Sequence, residues 1–379
     1  MKREILVLGA GYAGCAAVKK LEELDTGKTL TWVSENPYHL VKHQVHRVIR
    51  RPEAEEAVTI PVDEIKESGT EFIETRVTDI DVDEKTVYTD EEDIEYEVLL
   101  VCLGGTTAFY GIPGLEEHGF ILNSLEDAVN IRKSIEEACR TEGPAKVVVG
   151  GGGLTGIETA GEIAEYRDNQ NEDIDIEILE ALDEIYAPGD EKVRKLLHKE
   201  LDKQNIDVSV GDGVEEVTSN EIKLSSGRKV DYDALIWTGG VKGRPTMENV
   251  NLEQQHNRVE ASSDFTTSAR DVFAVGDVGI IDLNGSPAPT TGAAAWKGGE
   301  LAARNVLHHL NDEPLEKWSY ESEGTVISVG DDCIASDIKK FPISTFNGHI
   351  AKYLKTFIAM RWIAHITNWR RALKSKDAV

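Results

Sequence analysis

Residues 4–14, Glu4-Ile-Leu-Val-Leu-Gly9-Ala-Gly11-Tyr-Ala-Gly14, set an apolar run directly against a G-x-G-x-x-G turn. The run over 4–9 reads as a buried strand, and the CAAVKKLEEL pattern that follows reads as a helix. A second strand, Leu30-Thr-Trp-Val-Ser34, ends at Glu35, 21 residues beyond Gly14. Each part of this unit has a physical task. Gly9 permits the tight turn, Gly11 lets the backbone approach a pyrophosphate, and Gly14 lets helix and strand pack closely. The N–H groups and positive dipole end of the helix favour phosphate. Glu35 is then placed to accept hydrogen bonds from an adenosine ribose.

The unit recurs further on. Lys146-Val-Val-Val149 runs into Gly151-Gly-Gly153-Leu-Thr-Gly156, a helix follows, and the next strand ends at Glu180, 24 residues after Gly156. A carboxylate at that place repels a 2′-phosphate, so the second ligand reads as NAD(H) rather than NADP(H). Two more apolar strands end in glycine, at Cys102-Leu-Gly104 and Trp237-Thr-Gly239, where a backbone can pass close to a ligand. A third such strand ends at Gly276-Asp277, and its aspartate suits the hydroxylated linker of a flavin dinucleotide. The pattern predicts an α/β fold with two Rossmann-like dinucleotide-binding domains.

Composition narrows the partners. The 379 residues hold 41 Lys+Arg against 69 Asp+Glu, a net charge of −28, which argues against nucleic acid and suits a concentrated-salt solvent. The length suggests two domains with an appendage. The charge is uneven: residues 337–379 carry nine basic residues (Lys339, Lys340, Lys352, Lys355, Arg361, Arg370, Arg371, Lys374 and Lys376) against Asp337 and Asp377. That tail is +7, so the preceding body is −35. Cys15, Cys102, Cys139 and Cys333 fit neither a zinc site nor a CxxC or CxxxxC redox pair, and a reducing cytoplasmic setting is expected. No metal site is expected. The basic-then-apolar start is too short for a secretory signal, and no run of about 20 apolar residues is present to span a bilayer.

With these residues assembled, the chain resembles the two-dinucleotide flavoprotein superfamily, and within it the type II NADH dehydrogenases, single-chain NADH:quinone oxidoreductases. The narrower resemblance is carried by Asn36-Pro-Tyr-His-Leu-Val-Lys-His43, by Gly324-Thr-Val-Ile-Ser-Val-Gly330 with Ala335, and by Phe346-Asn-Gly348 with the basic-aromatic sequence after it. It implies bound FAD on the first unit and NADH as substrate on the second. An FAD domain of residues 1–112 and 252–323 would be interrupted by an NADH domain at 113–251, with an interface segment at 324–379. It also implies hydride transfer to flavin and two-electron reduction of a quinone, without proton pumping. Glu158 matches a family glutamate near the nicotinamide–flavin junction, and His43 is expected either to approach the flavin or to be packed in its loop. The family's A-Q-x-A-x-Q motif, whose glutamines border the quinone, has Ala293 and Lys297 in their places here. That departure leaves other acceptors open: a soluble redox carrier, a sulfide:quinone oxidoreductase-like chemistry, or an NADH-sensing role without catalysis.

Ile350, Tyr353, Leu354, Phe357 and Ile358 follow helical spacing, with Lys352, Lys355 and Thr356 on the opposite face. A second stripe of Trp362, Ile363, Ile366 and Trp369 is rotated from the first, which predicts two short helices or a break near Ala359. Basic, tryptophan-bearing amphipathic helices suit a lipid headgroup layer, and the family docks on membrane here, so a peripheral position on the inner face of the cell membrane is expected. The competing expectation is a tail packed on its own acidic body or on a second copy in a homodimer.

Overall fold

The structure is a computed structural model that describes residues 3–24, 27–339 and 344–378; Lys340 of the basic tail lies outside them. Strand β1 (Arg3–Leu8) leads into helix α1 (Tyr12–Glu23), followed by strands β2 (Leu30–Ser34), β3 (Glu71–Glu74) and β4 (Asp93–Val101). These strands pair in parallel in the order β3-β2-β1-β4, and Val272–Ala274 joins on β4. Ile5, Leu6, Val7 and Leu8 are all buried, as expected of a parallel strand covered on both faces.

The pattern repeats with β5 (Ala145–Gly150), α2 (Leu154–Gln170), β6 (Ile174–Leu179), β7 (Ile206–Ser209) and β8 (Ala234–Trp237). Their order is β7-β6-β5-β8, again wholly parallel. All four strands lie between β4 and Val272–Ala274 in the chain, so the second unit is inserted into the first. The chain crosses over and returns on one antiparallel pair, Gly105–Thr107 against Val241–Gly243.

Helix α3 (Gly292–Leu310) is N-capped by the Thr291 hydroxyl, which accepts from the Ala294 N–H at 3.2 Å. A hairpin of β9 (Thr325–Val329) and β10 (Asp332–Ser336) follows, then helices α4 (His349–Ile366) and α5 (Trp369–Ser375). The hairpin turn lies hard against α2: a Cβ on Gly161 would sit 2.2 Å from the Gly330 nitrogen.

The tail corrects one expectation. Helix α4 runs unbroken through Ala359, and the interruption falls at Thr367 and Asn368 instead. Ala351, Lys355, Ala359, Trp362, Ile363 and Ile366 form one continuous buried face, so the two stripes never compete for the same side. Lys355 lies on the expected side, opposite the apolar row, and that side faces the body. It is buried, while Ile350, Tyr353 and Phe357 point outward at 62%, 74% and 52% exposure. An ammonium is turned inward because a carboxylate, that of Glu158, waits for it there.

Much of the tail's positive charge meets the body's negative charge. Lys352 pairs with Asp331 at 3.4 Å, Arg361 with Glu323 at 3.7 Å and Arg371 with Glu64 at 3.1 Å, and Lys374 pairs with Glu56. What the tail presents outward is therefore chiefly an apolar row rather than a basic patch.

Candidate active site

The two glycine turns are geometric twins. Gly9 and Gly151 take φ of +100° and +106°, a region that L side chains rarely enter. A Cβ on Gly14 would lie 1.9 Å from the Gly9 carbonyl oxygen, and one on Gly156 would lie 1.9 Å from that of Gly151. By contrast, a Cβ on Gly11 or Gly153 would meet nothing within 4 Å. That open side, at a helix N-terminus, is where a pyrophosphate fits. Gly104 is likewise open at φ +71°, and Gly276 turns the chain at φ +83° just before Asp277. Gly239 follows β8 under the Trp237 ring. These residues fit one dinucleotide at each turn.

Each acid beyond a turn is held in place. Glu180 accepts from the Gly152 N–H at 2.7 Å and the Leu182 N–H at 2.9 Å, which fixes it at the second turn. Glu35 pairs with Arg244 at 2.9 Å. Arg244 lies just after the return crossing, and nothing in the local sequence singles it out.

Glu158 is buried on α2, one turn into the helix that starts at the second glycine turn. Its Oε1 accepts from the Ser328 N–H at 3.2 Å and from the Ser328 hydroxyl at 3.4 Å, and it pairs with Lys355. Lys355 donates in turn to Ser328 Oγ at 2.6 Å. The other oxygen, Oε2, faces His46 Nδ1 at 3.7 Å. Further along the same helix face, Arg50 reaches Glu162 and Glu165 at 2.8 Å each and Asp331 of the hairpin turn at 2.9 Å. A buried guanidinium thus ties α2 to the hairpin that carries Ser328.

His43 enters the same neighbourhood from the first unit. Its Nδ1 pairs with the hydroxyl of Tyr12, a residue of the first glycine turn. Burial, reinforced by the cations of Lys355 and Arg47, pushes its pKa down to about 3, so the imidazole is neutral. Burial moves His46 well down for the same reason. The structure therefore gathers His43 and Glu158 around Lys355. Sequence reasoning placed Lys355 only on the face opposite the apolar row and missed Ser328, although Ser328 lies inside one of the stretches that carried the resemblance.

Ala293 and Lys297 lie at the start of α3. Ala293 is exposed. Lys297 turns to Glu323 at 3.5 Å and sits 5.7 Å over the Tyr320 ring, lining a surface cavity of about 310 Å³. Trp296 and Glu300 of α3 meet the tail: the Trp296 ring lies 5.0 Å from Trp362 and 4.6 Å from His365, and Glu300 pairs with His365 at 3.2 Å.

All four cysteines are unpaired, and burial raises the thiols of Cys15, Cys102 and Cys333. Among the described residues, no group of three or more His, Cys, Asp or Glu side chains is placed to hold a metal ion. No helix among them is long and apolar enough to cross a membrane.

A family model described as pyridine nucleotide-disulphide oxidoreductase matches residues 3–299. The type II NADH:quinone oxidoreductase of Staphylococcus aureus (strain MSSA476) is 28% identical, across 96% of this chain and 96% of that one. Among solved structures, NDH2 from Plasmodium falciparum in complex with NADH aligns at a TM-score of 0.83 and 15% identity, covering 100% of this chain and 98% of its own. The sulfide:quinone oxidoreductase of Aquifex aeolicus aligns at 0.81 and 19% identity, covering 97% and 92%. The structural likenesses speak to the fold and agree with the two-unit architecture. The match over 3–299 takes in both glycine turns and the first turns of α3, and on it the chain belongs to the pyridine nucleotide-disulphide oxidoreductase family.

Proposed function

We propose that this chain oxidises NADH and reduces a quinone, in the manner of a type II NADH:quinone oxidoreductase. The observation that carries the reading is the pair of open glycine turns on twin parallel sheets, one for each dinucleotide. The balance is NADH + H⁺ + quinone giving NAD⁺ + quinol, so each turnover draws one proton from solvent. Bound FAD supplies the hydride-accepting and electron-passing chemistry.

The chain's own residues bind, orient and move the proton. Gly9, Gly11, Gly14, Glu35, Gly104, Gly276 and Asp277 would hold FAD. Gly151, Gly153, Gly156, Glu180 and Gly239 would hold NADH, with Glu180 excluding a 2′-phosphate by charge. Glu158 and Lys355 form an enclosed acid–base pair whose proton, carried on Lys355 Nζ, is available to a reduced acceptor. His43 is neutral and anchored to the hydroxyl of Tyr12. Ala293 has no side chain to hydrogen-bond a quinone carbonyl, so the acceptor is held by shape against Trp296 and the tail, with Lys297 at the rim.

For the tail we assign a lipid surface on the inner face of the cell membrane as partner. The support is the outward row of Ile350, Tyr353 and Phe357, continued by Trp369 and Leu373 at 53% and 60% exposure. Flotation with anionic vesicles tests this, and light scattering without lipid tests the alternative that a second copy covers the row. The sulfide-oxidising alternative lacks support from the thiols, since Cys333 is buried and Ile157 stands where a partner cysteine would be needed. The enzyme reading is tested by the colour of the purified protein. A yellow protein bleached by NADH is expected, and a colourless one after gentle purification would end it.

A further inference from the structure

The tail helix reaches the first glycine turn through a buried polar relay. Trp362 is 2% exposed, and its indole N–H donates to His39 Nε2 at 2.8 Å. His39 is fully buried, and its Nδ1 lies 2.8 Å from the carbonyl oxygen of Ala10. An indole N–H can only donate and a carbonyl can only accept, so these partners put the imidazole proton on Nδ1. Burial lowers the pKa of His39 to about 4, which keeps it in that neutral form at ordinary pH.

Ala10 is the residue between Gly9 and Gly11. The carbonyl before it, that of Gly9, is held at 3.0 Å by the indole N–H of Trp32 on β2. Two successive peptides of the turn are thus gripped from behind, one by the sheet and one by the tail. Because a peptide unit is planar, fixing the Ala10 carbonyl also fixes the aim of the Gly11 N–H on the other side of the same bond. That N–H belongs to the helix N-terminus that would face the pyrophosphate. Tyr12 adds to the grip, with its ring centroid 4.7 Å from that of Trp362 and 5.0 Å from that of His39.

We propose that the C-terminal helix is part of the FAD cradle, with Trp362 acting through His39 as a positioning residue for the Ala10–Gly11 peptide. The proposal rests on the reading of the first turn as the FAD site. A tail that only docked on a surface would leave FAD affinity untouched.

The test uses the full chain. FAD affinity is measured by recovery of free-flavin fluorescence on dilution, with thermal midpoints followed in parallel, for wild type, Trp362→Phe, His39→Phe and the double variant. Each single change is expected to weaken FAD binding about tenfold: His39→Phe leaves the Ala10 carbonyl only the Cys15 thiol at 3.4 Å, and Trp362→Phe removes the donor that fixes the His39 ring. The double variant is expected to lose no more than the larger single loss, since both changes cut one relay. Phe357→Ser, on the outward side of the same helix, should leave FAD affinity unchanged. If Trp362→Phe does not fold, His39→Phe alone carries the test. Unmoved FAD affinity in the folded variants, or equal loss in Phe357→Ser, would overturn the relay. Wild-type protein that never binds FAD would overturn the assignment of the first turn itself, a different failure.

Discussion

Replacing Lys355 with methionine removes one charge from an enclosed ion pair. Lys355 is 4% exposed and Glu158 8%, and the ammonium also donates to Ser328 Oγ at 2.6 Å. A contact pair at an effective dielectric of about 20 interacts with on the order of 4 kcal/mol, and stranding one partner of a buried pair costs about 3–5 kcal/mol. Lys355→Met is therefore expected to cost about 3–5 kcal/mol of stability. Glu158→Gln strands the ammonium instead and should cost a similar amount. The double variant strands no charge, so its loss should be about 1 kcal/mol or less. Urea unfolding reads these values. Stopped-flow mixing of FAD-loaded protein reads the function in two halves. Flavin reduction by NADH should stay within about threefold of wild type, while reoxidation by a soluble quinone should fall about 100-fold or more as the proton donor is lost. Two results would refute the reasoning: a double variant as unstable as the two singles summed, or quinone reoxidation that Lys355→Met leaves unchanged.

Four further outcomes are expected. Glu180→Gln should raise kcat/KM for NADPH relative to NADH by about tenfold, because one repulsive charge beside a 2′-phosphate is gone; steady-state kinetics with both cofactors checks it. Acid should destabilise the fold through His39, whose pKa is lowered from 6.5 to about 4. Stability is full above the unfolded value and falls as the pH drops from about 6.5 towards 4, since the unfolded chain binds protons that the buried ring refuses; the loss reaches about 3 kcal/mol. His43 falls to about 3 and adds a loss of the same sign, and urea unfolding across that window should flatten in His39→Phe. Serine at Ile350, Tyr353 and Phe357 together should abolish flotation with anionic vesicles while the flavin still bleaches with NADH, and unchanged flotation would remove the lipid assignment. Raising salt should raise the thermal midpoint, because a net charge of −28 repels itself less when screened.

How much of this was legible in the sequence depended on distance along the chain. The strand, turn and helix units at Gly9 and Gly151 are written within about 30 residues each, so their spacing carries the fold and both dinucleotide sites. Glu158 could be named because it is fixed in register to Gly156 on the same helix. Lys355 could not, since its partner is 197 residues away. A helical wheel separates Lys352 and Lys355 from the apolar row, but it has no knowledge of what the helix will meet and leaves open which face turns inward. The structure turns Lys355 inward, to a single buried carboxylate. Trp362 was noticed as part of a stripe, but its indole N–H finds His39 from 323 positions away. Arg50, which clamps Glu162, Glu165 and Asp331, reads in sequence only as one of two adjacent arginines. The expected break near Ala359 failed for a related reason: two stripes seem to demand two packing partners until one of them proves to face outward.

The most direct measurement is a single turnover on purified, FAD-loaded full-length protein, followed by the visible flavin absorbance. One equivalent of NADH should bleach the flavin, and a soluble quinone should then restore it, yielding one NAD⁺ and one quinol per flavin. Flavin that NADH does not bleach, or that quinone reoxidises no faster than oxygen-free buffer does, would contradict the account.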